Sequence, residues 1–184
     1  MGLSGRVLVT RQIRNLALIG LMGAGKSSVG HFVADRLRFA FLDTDEWIER
    51  QAGKTVSELF AQAGEPAFRE WEGKAVAELV SLDRNVISTG GGLPVNEANF
   101  ASLKSHALVV YLWASPELLW ERVRYAHHRP LLQDPDPQAK IRNLLAAREP
   151  FYRQADVMVS TEHRSVAEVA QNVLAHFRAS LPAP

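Results

Sequence analysis

The chain has 184 residues, of which 47% are hydrophobic and 22% are charged, a composition typical of one soluble globular domain. Its formal net charge of +1 excludes the overall basic field of a nucleic-acid-binding protein, and no apolar run reaches membrane-spanning length. The absence of cysteine excludes disulfides, a thiol nucleophile and zinc–thiolate sites. We therefore expect neither a nucleic-acid nor a membrane partner, and the composition agrees with a reducing, cytoplasmic location.

The first 14 residues stand apart from the pattern that follows. They contain the apolar run Val7-Leu8-Val9, which is too short for a secretory signal. We interpret residues 1–14 as an N-terminal tail or as an extra edge segment of the sheet. The domain itself is predicted over residues 15–184.

A phosphate-binding loop follows the first predicted strand. Residues 20–27 match the pattern Gly-x-x-x-x-Gly-Lys-[Ser/Thr] without mismatch, between the apolar run Leu16–Ile19 and a helical pattern. Backbone N–H groups of such a loop, and the positive end of the helix dipole, bind phosphate groups. A glycine-rich turn beside a lysine is the simpler alternative, and the flanking strand and helix argue against it. The predicted nucleotide-binding residues are Gly23, Ala24, Gly25, Lys26, Ser27 and Ser28.

Two acids end the second predicted strand. Phe39–Leu42 is followed by Asp43-Thr44-Asp45, at the carboxyl end of a strand, where open α/β sheets bind ligands. The alternative is that Thr44 or Asp45 only caps the next helix, which Gly53 ends. The two acids together, beside a phosphate loop, favour a functional role.

A broken helical stretch comes next. A capping box at Thr55 opens a short helix, residues 64–66 interrupt it, and a long amphipathic helix follows. Arg69 and Glu72 lie three residues apart on that helix, and such a pair is most often a solvated salt bridge.

The third predicted strand, Asn85–Thr89, runs into Gly90-Gly91-Gly92. Three consecutive glycines are costly in chain entropy and indicate a close approach of the backbone to a ligand, although a tight loop would also explain them. Ala107–Trp113 is nearly continuously apolar, as in a parallel strand covered on both faces.

The last third of the chain repeats the alternation. A helix starts at Ser115-Pro116 and ends in a cationic segment, where His127 and His128 are interpreted as exposed rather than as metal ligands. Further helices are predicted from residue 138 and from the capping box at Ser165, on either side of the strand Val157–Val159. The pattern predicts a three-layer α/β/α sandwich with a mainly parallel, five-stranded sheet.

Six motifs follow one another along the chain: Gly20-Leu21-Met22-Gly23-Ala24-Gly25-Lys26-Ser27, Asp43-Thr44-Asp45, Gly64-Glu65-x-x-Phe68-Arg69-x-x-Glu72, Gly90-Gly91-Gly92, Arg129-Pro130-Leu131-Leu132 and Arg148-x-Pro150-x-Tyr152. The phosphate loop alone indicates a nucleotide, whereas the other five motifs, in this order and spacing, are specific. Taken together, they resemble the shikimate kinases, which belong to the nucleoside-monophosphate-kinase group of P-loop enzymes. The resemblance extends from about residue 15 to residue 175.

The resemblance implies a monomeric kinase that uses ATP and Mg²⁺ to phosphorylate the 3-hydroxyl of shikimate. It implies that Asp45 holds a substrate hydroxyl and is the candidate base, and that Asp43 lies near the Mg²⁺ bound by Ser27. The implied substrate-binding residues are Asp45, Arg69, Gly90, Gly91, Gly92 and Arg148, with the two arginines on the carboxylate.

The resemblance also implies a mobile lid over about residues 125–136, from which Arg129 reaches the phosphates of ATP. Arg122 and Arg164 are expected on the adenine side. The expected catalytic residues are therefore Lys26, Asp45 and Arg129.

Two other functions stay open at this point. A kinase for gluconate or a nucleotide would share much of this pattern, because gluconate also carries a carboxylate. A non-catalytic ligand-sensing domain is the other alternative, and the presence of Lys26, Asp45 and Arg129 argues against it.

Overall fold

A computed structural model of the chain describes residues 11–125 and 135–181. One or two helices separate successive strands in the described residues, in the general pattern predicted, with a short 3-10 helix at Leu93–Val95. The strands are β1 (Asn15–Ile19), β2 (Ala40–Asp43), β3 (Asn85–Ser88), β4 (Ala107–Trp113) and β5 (Val157–Ser160). The helices are α1 (Lys26–Leu37), α2 (Thr44–Ala52), α3 (Val56–Leu79), α4 (Glu97–His106), α5 (Pro116–Val123), α6 (Pro137–Tyr152) and α7 (Val166–Ser180).

The strands form one sheet in the order β2-β3-β1-β4-β5, and every described strand pair is parallel. All five residues of β1 are buried, as expected for the central strand of a sheet covered on both faces. Because parallel strands end at the same edge, the segments that follow β1, β2 and β3 meet there. The connection that follows β1 runs toward β2, whereas the one that follows β3 runs the other way, toward β4. The carboxyl ends of β1 and β3 therefore lie at the topological switch point, where such sheets bind ligands.

Helices cover both faces of the sheet. Helix α1 packs with α7 and contacts β3, whereas α4 packs with α3 and contacts β4. These pairs form the outer layers of the predicted sandwich, and the predicted α/β fold with a mainly parallel, five-stranded sheet is confirmed. None of the helices in the described ranges is both long and apolar enough to cross a membrane.

Local signals placed most helix ends correctly. Gly53 ends α2 in the left-handed region at φ 64°, and the capping boxes at Thr55 and Ser165 both form. Helix α3 is interrupted at Gly64, where φ is 75° and ψ is 179°. The cap of α2 differs from both predicted candidates, because the Asp43 carboxylate accepts the Asp45 N–H at 3.0 Å.

The segment just before β1 contacts the opposite edge of the sheet. Arg11 forms a bidentate ion pair with Asp156, at 2.8 and 2.6 Å, and the Arg14 N–H donates to the His106 carbonyl. Partial burial of Asp156 acts to raise its pKa. The hydrogen bond and charge of Arg11, together with the hydrogen bond from the Val109 N–H, outweigh that effect, so the pKa of Asp156 is lowered. The apolar run at residues 7–9 lies outside the described residues.

A buried histidine lies at the same edge. The Asn15 side chain accepts the Asn85 N–H at 2.8 Å, so its NH₂ group faces Leu82 O at 2.6 Å and the His106 Nδ1 at 3.0 Å. Nδ1 must therefore accept a hydrogen bond, and a doubly protonated ring would put two N–H groups against each other. Burial lowers the pKa of His106, and the charges of Arg14 and Arg11 lower it further, against the opposing charge of Asp83.

We expect this histidine to make the protein acid-sensitive. Below about pH 6.5 this histidine becomes protonated in the unfolded chain but stays neutral in the folded chain, because its folded-state pKa is lower. The free energy of unfolding therefore falls as the pH drops toward the folded-state pKa. One such proton lowers the free energy of unfolding by up to about 1.4 kcal/mol per pH unit. His106→Asn, which keeps an acceptor toward Asn15, should flatten the fall of the melting temperature between pH 7 and pH 5. His176→Asn, at an exposed histidine, is the control. An equal dependence of the melting temperature on pH in wild type and His106→Asn would contradict the expectation.

Candidate functional site

The phosphate loop joins β1 to α1 at the ligand-binding edge. Gly20, Gly23 and Gly25 have φ values of 140°, 81° and 91°, in the region where side chains are strained. A Cβ on Gly23 would also lie 2.9 Å from Val123, so α5 packs directly on the loop. Helix α1 begins at Lys26, and its N-terminal N–H groups are suited to bind an anion.

Lys26 and Ser27 lie at the centre of the site. The Lys26 ammonium donates to the carbonyls of Gly20 and Leu21, at 2.9 and 3.1 Å. The Ser27 hydroxyl donates to the Asp43 carboxylate at 3.2 Å, so a hydroxyl and a carboxylate oxygen are adjacent. Such a donor set fits Mg²⁺, which prefers oxygen ligands and takes only one or two carboxylates beside substrate phosphates. No larger cluster of His, Asp or Glu with metal-binding geometry occurs in the described ranges.

A cavity of about 420 Å³ opens on one side of Lys26, lined by the phosphate loop, Arg122 and Arg164. Arg122 is held by the Gly23 carbonyl at 3.1 Å and by the Thr161 hydroxyl and carbonyl at 3.0 and 3.1 Å. Arg164 donates to the Ser160 carbonyl at 3.3 Å. Both arginines therefore line the cavity that contains the phosphate loop. Thr161, buried beside β5, is a supporting residue that no sequence motif indicated.

A second cavity, of about 350 Å³, opens on the other side of Lys26. It brings together carboxylates, guanidinium groups and the glycine triplet, with Phe60 and Phe68 as apolar walls. Its lining includes Asp43, Asp45, Arg69, Gly90, Gly91, Gly92 and Arg148. These residues, singled out in segments far apart in the sequence, therefore line one cavity, while their roles toward a substrate stay predictions.

Arg69 forms an ion pair with a buried acid, not the solvated pair that its spacing favoured. Its guanidinium contacts Glu72 at 2.6 Å and also pairs with Glu65, while the Glu72 side chain is only 1% exposed. Burial raises the pKa of Glu72, against the opposing hydrogen bond and charge of Arg69 and the charge of Arg148. Partial burial also acts to lower the pKa of Arg69, but hydrogen bonding and attraction to Glu72 and Glu65 outweigh it and raise that pKa. Arg69 is thus charged and fixed at the cavity wall.

The glycine triplet makes room for charged side chains. A Cβ on Gly90 would lie 2.5 Å from the Asp45 carboxylate, and one on Gly92 would overlap the Arg69 guanidinium. The Gly90 N–H donates to the buried Thr44 hydroxyl at 2.8 Å, which ties the triplet to the start of α2. The backbone of the triplet is therefore closely approached by the protein's own side chains, and its predicted approach to a ligand stays a prediction. Thr44 has a role here that its position between two acids did not reveal.

The two cavities meet at the phosphate loop, since both are lined by Met22, Lys26 and Ser27. Asp45 lies in the first turn of α2, where the helix dipole favours a carboxylate. Arg129, most of the expected lid and the two adjacent histidines lie outside the described residues.

A phosphate loop at the switch point of a parallel sheet, with a second polar cavity beside its lysine, defines a P-loop kinase. A sequence model of the shikimate kinase family matches residues 22–178. The shikimate kinase of Symbiobacterium thermophilum is 44% identical over 163 residues, covering 87% of this chain and 94% of that one. That of Cereibacter sphaeroides is 42% identical over 169 residues, covering 92% of this chain and 85% of its own.

Solved structures agree with the sequence comparison. The shikimate kinase of Acinetobacter baumannii, determined in complex with shikimate, superposes with a TM-score of 0.88 at 37% identity, covering 94% of this chain and 97% of that chain. The chain described here belongs to the shikimate kinase family.

Proposed function

We propose that this chain transfers the γ-phosphoryl group of ATP to the 3-hydroxyl of shikimate. The observation that carries the proposal is that two cavities of different chemistry meet at Lys26 and Ser27. One has the phosphate loop and two arginines, and the other has arginines for a carboxylate and an acid for a hydroxyl. Phosphoryl transfer depends mainly on positioning and charge neutralisation, which such an arrangement supplies.

On the acceptor side, the proposal gives Arg69 and Arg148 the shikimate carboxylate. Guanidinium groups match carboxylates with paired, charge-assisted hydrogen bonds. Asp45, in the same cavity, accepts a hydrogen bond from the attacking hydroxyl and is the candidate acceptor of its proton. The backbone of Gly90, Gly91 and Gly92 forms the adjoining wall of that cavity.

On the donor side, the loop N–H groups and Lys26 hold the phosphates of ATP, and Arg122 and Arg164 flank the adenine side. When bound by Ser27 and near Asp43, Mg²⁺ would neutralise charge on the β- and γ-phosphates. The proposal retains Arg129 as a further phosphate contact. We also propose that the enzyme acts as a monomer, since the residues of both cavities come from one chain. We further propose that it is cytoplasmic, a location with which its cysteine-free sequence agrees.

An ADP-release assay with matched acceptors tests the proposal. Shikimate, quinate and gluconate are supplied in parallel with ATP and Mg²⁺, and phosphorylated products are identified by mass spectrometry. We expect product with shikimate at a kcat/KM well above that for the other two acids. Preferential phosphorylation of gluconate, or ADP release without a phosphorylated acid, would contradict the proposal.

Replacing either carboxylate-binding arginine should weaken shikimate binding while ATP binding changes far less. A charge-assisted hydrogen bond contributes about 1.5–3 kcal/mol, so Arg69→Ala and Arg148→Ala should each raise the Kd for shikimate at least about tenfold. Calorimetric titration with shikimate, and separately with ATP, measures both affinities. An equal loss of ATP affinity would contradict the separation of the two sites.

The same pair of variants should differ in stability. Arg69→Ala leaves the buried Glu72 without its strongest countercharge, whereas Arg148→Ala does not, so only the former should lower the melting temperature markedly. Arg142 is an exposed arginine on the same helix as Arg148. Arg142→Ala is therefore the control for the binding measurements, and it should change the affinity for neither shikimate nor ATP.

A further inference from the structure

Tyr152 is a buried tyrosine whose hydroxyl reaches the glycine triplet. It ends α6, four residues after Arg148 and therefore on the same helix face. Its side chain is fully buried, and its hydroxyl donates to the Gly91 carbonyl, 61 residues away in sequence. A buried residue of the helix that carries Arg148 thus holds the backbone of the cavity wall formed by the glycine triplet.

The side chains of Arg148 and Tyr152 both lie close to Gly91. A Cβ built on Gly91 would lie 3.3 Å from the Arg148 Nη1 and 3.4 Å from the Tyr152 hydroxyl. Because a peptide unit is planar, fixing the Gly91 carbonyl also fixes the direction of the Gly92 N–H that belongs to the same unit. The Tyr152 hydroxyl is therefore hydrogen-bonded to the glycine triplet, at a point that Arg148, the proposed carboxylate-binding arginine, also approaches.

This hydroxyl stays protonated at physiological pH. Burial raises the pKa of Tyr152 to about 12, against the opposing charge and hydrogen bond of Arg148. It can therefore act as a permanent donor to the Gly91 carbonyl rather than as a titrating group. No step of the proposed phosphoryl transfer uses it as an acid or a base.

We infer that Tyr152 is a positioning residue for the acceptor site: its hydroxyl fixes the Gly91–Gly92 peptide relative to Arg148, so that the groups facing the substrate carboxylate keep one geometry. The inference rests on the proposed function, since it takes shikimate as the acceptor. A preorganised site does not have to order these groups when substrate binds, so loss of the hydroxyl should weaken acceptor binding.

Tyr152→Phe tests this by removing one oxygen atom. We expect the KM for shikimate to rise about two- to tenfold, the range of one net hydrogen bond, with kcat and the KM for ATP nearly unchanged. An unchanged KM for shikimate, or an equal rise in the KM for ATP, would overturn the inference. A lower melting temperature with unchanged KM values would likewise reduce Tyr152 to a structural role and overturn it.

The chain offers a matched control in Tyr111, on β4. Its ring centroid lies 5.2 Å from that of Tyr152, and its hydroxyl is buried without a hydrogen-bond partner in the described part of the chain. Tyr111→Phe therefore removes a neighbouring buried hydroxyl that positions nothing, and its KM for shikimate should equal that of wild type. If both variants raised this KM equally, general repacking would explain the effect and the inference would fail. A wild-type enzyme with no shikimate-dependent ADP release would instead refute the proposed function, so the two failures are distinguishable.

Discussion

Lys26→Ala should lower the turnover of ATP and shikimate by about two to three orders of magnitude, the effect of removing one preorganised donor from a site of developing charge. The ammonium lies where the two cavities meet, and the proposed transfer takes place between the ligands of those two cavities. Steady-state kinetics with saturating shikimate and ATP measure the loss.

The loss should come from chemistry rather than from unfolding. Lys26 is partly exposed, and its hydrogen bonds to the carbonyls of Gly20 and Leu21 stay within its own loop. The melting temperature of the nucleotide-free protein should therefore change little. Lys54→Ala, an exposed lysine outside both cavities, is the control and should retain wild-type turnover. Wild-type turnover in purified Lys26→Ala would contradict the electrostatic role.

The sequence predicted those features that depend on neighbouring residues. Gly53, Gly64 and the capping box at Thr55 act over a single helical turn, so their patterns indicated helix ends that the structure has. The alternation of apolar runs with helical periodicity likewise predicted a parallel sheet, and that sheet brings together at one edge many of the predicted site residues that the structure describes.

What the sequence did not predict depends on contacts between distant segments. From its spacing to Arg69, Glu72 was interpreted as one partner of a solvated pair. The burial of Glu72 instead depends on the packing around α3 and the glycine triplet, which its spacing from Arg69 does not indicate. The hydrogen bond between the Gly90 N–H and the Thr44 hydroxyl spans 46 residues of sequence, and the one between the Tyr152 hydroxyl and the Gly91 carbonyl spans 61. A threonine or tyrosine within a motif gives no indication of which backbone atom it will meet.

The second large effect on turnover is expected from replacing Asp45. This residue lies at the start of α2, and its carboxylate faces the glycine triplet. The Asp45 N–H is held by the Asp43 carboxylate at 3.0 Å, so the first turn of α2 fixes where its side chain begins. A Cβ on Gly90 would lie only 2.5 Å from the Asp45 carboxylate, which shows how closely that carboxylate approaches the triplet. A group held in this way can orient an attacking hydroxyl without being reorganised first.

Asp45→Asn keeps the shape of the side chain but removes its charge and its basicity. General-base catalysis contributes about 10²–10⁴-fold, so we expect a fall in kcat of that order, with a smaller loss of shikimate affinity because an amide still hydrogen-bonds a hydroxyl. Rates measured from pH 6 to pH 9, together with shikimate binding by calorimetry, separate the two effects. Glu46→Gln, an exposed acid in the same turn, removes an equal charge outside the cavity and should leave kcat near wild type. If Asp45→Asn kept most of its turnover across that pH range, Asp45 would have no role as a base, and its part in the site would be limited to holding the acceptor hydroxyl.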